Sequence, residues 1–152
     1  PETKRDLLYS ETVVKGDIWP ESSFHKGVQS GEDLGERMAN AFAQAFASGA
    51  KKVVIIGSDC PGITTHLLAE AFTELDTNDL VIGPATDGGY YLLGMRKFTP
   101  QLFSDIAWST SEVAKQTLNI ATANGLTVTQ LVALSDVDYL EDWLAYGWEV
   151  PD

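Results

Sequence analysis

The chain has 152 residues, 44% apolar and 21% charged, enough for one domain with a sizeable core and with nothing that marks a second. Ten Lys and Arg against 22 Asp and Glu leave a net charge of −12, which repels phosphate backbones and anionic lipid head groups and so argues against nucleic acid and membrane surfaces as partners. The single cysteine, Cys60, rules out an internal disulfide or a multi-cysteine metal site. No apolar run approaches a membrane span, and PETKRDLLYS lacks the apolar core of a secretory signal, so a reducing cytoplasm is the expected compartment. A small anionic substrate would need a divalent cation, a helix N-terminus or a local basic group to offset the field.

In chain order, DLLYS reads as a short strand. VVKGDIWPESSFHKGVQSGEDLG follows as a connection with four glycines and one proline. Leu34, Met38, Ala41, Phe42, Ala45 and Phe46 share one helical face, which predicts a helix from Leu34 to Phe46, capped by Ser30 or Asp33 and stopped near Gly49. The run VVIIG is uninterrupted and β-branched, the pattern of a parallel strand buried on both faces. It stops at a small-residue turn, SDCPG, that puts Asp59 beside Pro61. Thr64 or Thr65 opens the next helix, with Leu67, Leu68, Ala71, Phe72 and Leu75 at helical spacing and DTND closing it.

LVIGPATDGG repeats the design of a buried strand followed by an acidic turn. YYLLGM comes so soon after it that only an antiparallel partner of LVIGP can form, giving a mixed sheet. A short helix near Pro100 to Phe103, a helix capped by Ser109 or Thr110 and ended by Gly125, the strand TVTQLV, and an acidic aromatic helix in DVDYLEDWLAYGW complete the chain. Strands alternating with helices argue for one α/β layer domain.

Asp59 and Asp87 stand at or just beyond strand ends, where open α/β sheets form their ligand crevice. A hard carboxylate at Asp59 suits Mg²⁺ or Mn²⁺, although a turn or helix cap also places aspartate there. Gly88 and Gly89 permit a tight turn and close approach of a ligand, and Asp87 between strand and turn is a candidate base, while Asp-Gly hairpin chemistry needs no ligand at all. Tyr90 and Tyr91 alternate, so one faces the core and one the cleft, with Tyr90 the candidate platform. Asp136 and Asp138 form an Asp-x-Asp pair. The phosphatase motif it brings to mind fails, because only residues 139–152 remain after it.

Cys60 reads as a small buried hydrophobe rather than a nucleophile. His25 and His66 lack the spacing of a zinc site or a triad. Arg37 reads as a solvated helix residue paired with Asp33, and Glu141 and Asp142 as first-turn charges of the last helix.

GSDCPG, GPATDGGYYLLGM, IAWST and SDVDYLEDW, with QSGEDLGERMANAF upstream, resemble the glycosyltransferase-like family named for arsenosugar biosynthesis or radical-SAM/selenium association. More weakly, the chain is similar to the nucleotidyltransferases of molybdenum-cofactor and phospholactate guanylyltransferase type. The first resemblance covers Asp6 to Trp143. It implies a three-layer α/β/α fold of GT-A type with a mixed, mostly parallel sheet, residues 1–152 forming one nucleotide-diphospho-sugar transferase-like domain. It further implies a glycosyltransferase with a nucleotide-sugar donor, a small-molecule acceptor and Mg²⁺ or Mn²⁺. The metal would sit on Asp59 with Asp136 and Asp138. Ser58, Asp59, Pro61, Gly88, Gly89, Tyr90, Trp108, Ser109 and Thr110 would contact the nucleotide or donor, and Asp87 would orient or deprotonate the acceptor hydroxyl.

Members of that family begin with a strand and a Lys-Thr-Arg-Leu phosphate loop that this sequence lacks. The expectation is therefore an N-terminally incomplete sheet and a chain with little activity alone. A catalytically silent domain that acts through assembly, as a homo-oligomer or with a partner that covers the open sheet edge, is the reading from another class.

Overall fold

The computed structural model describes residues 3–137 and 139–149. Two short parallel strands, β1 (Asp6–Tyr9) and β2 (His25–Val28), form a separate pair. The main sheet has four strands in the order β3 (Val53–Ile56), β5 (Tyr90–Met95), β4 (Leu80–Pro84) and β6 (Val128–Gln130). β5 is antiparallel to both its neighbours and β6 is parallel to β4. Three strands therefore point one way, with the hairpin strand β5 inserted against them.

The helices are α1 (Leu34–Ala47), α2 (Thr65–Glu74), α3 (Val113–Ala123) and α4 (Leu140–Ala145), with a 3-10 turn at Pro100–Phe103. α1 begins where the sequence predicts. The Asp33 carboxylate accepts the Glu36 amide at 2.8 Å, and Glu36 reaches back to the Glu32 amide at 2.9 Å. Thr64 caps α2 through the Leu67 amide.

Strand alternation sorts the core into two layers. Leu80, Ile82, Leu93 and Met95 face α1 and α3 and pack with Phe42, Leu102 and Ala121. Val81, Tyr91 and Leu92 pack with Leu67 and Ala71 of α2 and with Leu75 at its C-cap on the opposite face. The result is a three-layer α/β/α domain of GT-A type.

Two details differ from expectation. β4 is the strand sealed on both faces, with Leu80, Val81 and Ile82 fully buried. VVII in β3 is only half buried, and Ile56 is 44% exposed. β3 ends the sheet, paired among the described residues with β5 alone, so a pattern of double-sided burial sits on an edge. β2 lies in a segment whose sequence predicts only a connection. Its sequence, HKGV, is short and half polar, and it forms by adding backbone bonds to β1 rather than by burying an apolar run. No helix among the described residues is long and apolar enough to cross a membrane.

Candidate active site

The loops that leave the carboxyl ends of β2, β3, β4 and β6 carry most of the residues singled out in the sequence. β3 breaks at Gly57, and the turn Ser58–Pro61 leads into α2. Ser58, Asp59 and Pro61 are exposed. The Asp59 carboxylate folds back over Gly57, so that a Cβ on Gly57 would lie 2.7 Å from its Oδ1. The Asp59 carbonyl accepts the Val137 amide at 2.9 Å, and that bond places Asp136 beside the Asp59 turn.

The segment after β6 joins this turn to the β4 turn. Leu134 bridges Ala85, its carbonyl accepts the Thr86 amide at 2.9 Å, and the Ser135 and Thr86 hydroxyls are 3.1 Å apart. The Ser135 carbonyl also accepts the Tyr146 hydroxyl at 3.2 Å and faces the Cys60 thiol at 3.7 Å. Ser135 thus ties four pieces of chain together, a role that nothing in its sequence neighbourhood signals.

Asp87 occupies a hairpin tip. Its Oδ1 accepts the Gly89 amide at 2.8 Å, Gly88 holds φ +94°, and the Ala85 amide reaches the Gly89 carbonyl at 3.0 Å. The Asp-Gly turn chemistry is therefore present, and it leaves the exposed Asp87 with its second oxygen outside that bond.

Trp108, Ser109 and Thr110 lie on the adjoining loop rather than at a helix cap. α3 starts at Val113 and its N-cap position is Glu112, which corrects the expected cap at Ser109 or Thr110. Thr110 instead donates to the Ala107 carbonyl at 2.6 Å and receives the Glu112 amide at 3.3 Å. Ser109 adopts φ +62°, unusual for a residue other than glycine.

Tyr90 departs from its expected place. Its half-buried ring packs on the layer between α1 and α3, with the hydroxyl directed to Met38 Sδ at 3.9 Å, and burial raises its pKa. Tyr91 is buried too, donates to the Val132 carbonyl at 2.8 Å, and is pushed up to about 12. A register shift at Gly83/Pro84 interrupts the simple alternation that would send one ring into the cleft. Arg37 donates to the Gly31 carbonyl at 3.1 Å, not to Asp33, because the Asp33 carboxylate is engaged as the helix cap.

Burial raises the Cys60 thiol to about 11, helped by the nearby Asp136 and Asp59 charges. A thiol so held is protonated at neutral pH, in keeping with a structural cysteine. Mg²⁺ is commonly held by one or two carboxylates and completed by substrate phosphates, and Asp59 and Asp136 are the two carboxylates that the Asp59–Val137 backbone bond brings onto neighbouring turns. Among the described residues no group of three His, Cys, Asp or Glu could hold a metal by itself. Asp138 lies outside the described residues. Two shallow clefts lie elsewhere, one of about 380 Å³ lined by Gln101 and Gln116 and one of about 680 Å³ near Arg5 and Phe24.

Comparison with known proteins gives two findings. Residues 4–110 match the family described as "Uncharacterized protein conserved in bacteria (DUF2064)". The crystal structure of a candidate nucleotide-diphospho-sugar transferase from Desulfovibrio desulfuricans G20 superposes with a TM-score of 0.84 at 36% identity, over 94% of this chain. This chain spans 64% of that protein. No protein in a search of curated proteins matches.

Proposed function

The chain belongs to the DUF2064 family, and on that premise we propose that its carboxyl-end crevice transfers a sugar from a nucleoside-diphosphate donor to a hydroxyl of a small acceptor. The likeness of nearly the whole chain to the Desulfovibrio protein carries this reading. The adjacency of the Asp59 turn and Asp136 supports it further.

In this mechanism Asp59 and Asp136, with Asp138 a further candidate ligand, would hold Mg²⁺ or Mn²⁺, which when bound would supply charge stabilisation for a leaving diphosphate. Ser58, Pro61 and the backbone around Gly88 and Gly89 line the donor's path. Asp87, fixed by Gly89, presents its second oxygen to the acceptor hydroxyl, which it orients and from which it takes the proton. Holding donor and acceptor at fixed positions on four tied loops supplies much of the catalysis.

The test is calorimetric titration of UDP and GDP with and without Mn²⁺. It would use this chain and a form extended to the length of the Desulfovibrio protein, of which this chain spans 64%. Metal-dependent binding, by either form, followed by sugar transfer without pyrophosphate release, is expected. Pyrophosphate release from a nucleoside triphosphate would replace this reading with nucleotidyl transfer, and absence of binding by both forms would replace it with an assembly role.

A further inference from the structure

The carboxyl ends of the strands hold the crevice, and the amino ends of β1 and β2 hold a second feature. A shallow cleft of about 680 Å³ opens there, between residues 3–5 ahead of β1 and the turn 20–24 that leads into β2. Its volume is in the range of small-molecule sites. Its lining reverses the sign of the chain. Lys4, Arg5, Lys26 and His25 share it with one carboxylate, Glu21, in a molecule whose net charge is −12.

Pairing neutralises most of those groups and leaves Arg5. Asp6 lies 3.3 Å from the Lys4 ammonium and 3.1 Å from His25 Nδ1, and Asp17 lies 2.7 Å from the Lys26 ammonium. The Arg5 guanidinium has neither an ion-pair partner nor a hydrogen-bond acceptor among the described residues. It rests over the Phe24 ring, 5.3 Å from the centroid, which orients the planar fork without using its N–H donors. Beside it the turn 20–23 closes on the Pro20 carbonyl, which accepts the Ser23 amide at 2.9 Å and the Phe24 amide at 3.1 Å. Ser22 and Ser23 line the same cleft, and their hydroxyls have no partner among the described residues.

The walls are pre-organised. Lys26, its side chain only 6% exposed, donates to Asp17 and to the Val14 carbonyl at 3.2 Å, and the Tyr9 hydroxyl donates to the same Asp17 carboxylate. These bonds fasten the segment 13–17 to the strand pair, and with it Val13, which lines the cleft. Trp19 packs edge-on against Phe24 at 5.3 Å, so the ring that carries Arg5 is itself held. A site fixed in this way has little left to order when a ligand enters.

A braced guanidinium with two hydroxyl donors beside it suits a group that offers several strong acceptor oxygens, as a phosphate does. The surrounding negative charge disfavours long polyanions, so the ligand is small. We propose that this cleft binds the phosphate group of a small phosphorylated molecule, with Arg5 as the principal contact and Ser22 and Ser23 completing it. The site lies at the opposite end of β1 and β2 from the crevice, involves no metal ion, and does not depend on the transferase reading.

The test is titration with inorganic phosphate and with glycerol 3-phosphate, in EDTA and at constant ionic strength, followed through the Arg5 Nε–H resonance in nitrogen-15 NMR. Arg37 and Arg96 are internal references, because their Nε–H groups are committed to the Gly31 carbonyl and to Asp79. The Arg5 signal should move and saturate with both probes while the other two stay still. Arg5→Ala should weaken binding about tenfold, and Arg5→Lys, which keeps the charge and loses the fork, several-fold. Glu21→Gln, which removes the one carboxylate of the lining, should strengthen binding about twofold, a gain that misfolding cannot produce.

No movement of the Arg5 signal, or equal movement of all three arginines, overturns the site. Acetate that binds as well as phosphate overturns the phosphate assignment. Binding by this chain that is lost in a form extended to the length of the Desulfovibrio protein also overturns the site, because the added chain then fills the cleft. Binding unchanged in both Arg5→Ala and Glu21→Gln removes the phosphate from this cleft altogether.

Discussion

The turns after β3 and β4 look like two copies of one design in the sequence, and the structure makes them opposites. After β4 the chain doubles back at once. Asp87 serves the hairpin through the Gly89 amide, and Gly88 is pinned against Ser111. After β3 the chain crosses into α2, and the Asp59 carboxylate has no hydrogen-bond partner among the described residues; its neighbours Gly57 and Pro61 are exposed. A carboxylate that stabilises its own turn is explained by that turn, whereas one that leaves the fold without a visible task is the better ligand candidate.

This contrast is sharpest for ligand binding. Asp59→Asn should leave stability within about 0.5 kcal/mol, as for other exposed sites, while reducing Mn²⁺-dependent nucleotide binding by about a hundredfold, or roughly 2.7 kcal/mol. Calorimetry beside a urea titration checks both halves. A large loss of stability with binding intact would make Asp59 the structural member of the pair.

Gly88→Ala should have the next largest effect, about 2 kcal/mol of lost stability, because the methyl meets backbone atoms of Ser111 and the residue's φ is left-handed. Asp87→Ala should cost about 1 kcal/mol through the lost turn bond. Urea midpoints would measure both, and a neutral Gly88→Ala would mean that the two loops are not interlocked.

Titration separates the loops in another way. The Cys60 thiol in the β3 loop is raised to about 11, so the folded state holds its proton more tightly than the unfolded chain does at 9.0. Its contribution to stability is complete below pH 9 and is lost as pH rises toward 11. Asp136→Asn removes a negative charge that favours the neutral thiol, so it should lower that pKa and bring alkylation by iodoacetamide to lower pH. An unchanged alkylation profile would separate Asp136 from the Asp59 turn.

The sequence made the elements legible wherever apolar period and cap agreed. α1 and its Asp33 cap, α2 and its Thr64 cap, and the β4–β5 hairpin needed only local chemistry. The insertion of β5 between β3 and β4 was beyond reach, since period reports which face is buried and not which strand lies alongside. β2 escaped because a two-stranded pair driven by backbone bonds leaves no hydrophobic signature. In the crevice, Asp59, Asp87 and Asp136 were visible as acidic strand ends. Gly35, whose missing side chain leaves room for the Trp108 indole, and Ser135 were not, because those contacts come from chain segments 73 and 75 positions away, Trp108 and Cys60. Tyr90 misled because simple alternation fails at the Gly83/Pro84 register shift.

The smallest expected effect is also the most selective. Gly57→Ala differs from Gly88→Ala in what its methyl meets: the Asp59 carboxylate oxygen at 2.7 Å, the movable end of a side chain, rather than backbone. Its φ is not left-handed, so the main chain need not change. Stability should therefore shift by less than about 0.5 kcal/mol, while the carboxylate must swing off Gly57. If Asp59 is the donor-side ligand, that displacement should weaken Mn²⁺-dependent binding several-fold without touching the fold, and restoring glycine should restore it. Binding unchanged by Gly57→Ala but lost in Asp59→Asn would mean that the carboxylate reaches the cation from more than one rotamer. Binding unchanged in both would make the β3 turn, like the β4 turn, a matter of chain reversal alone.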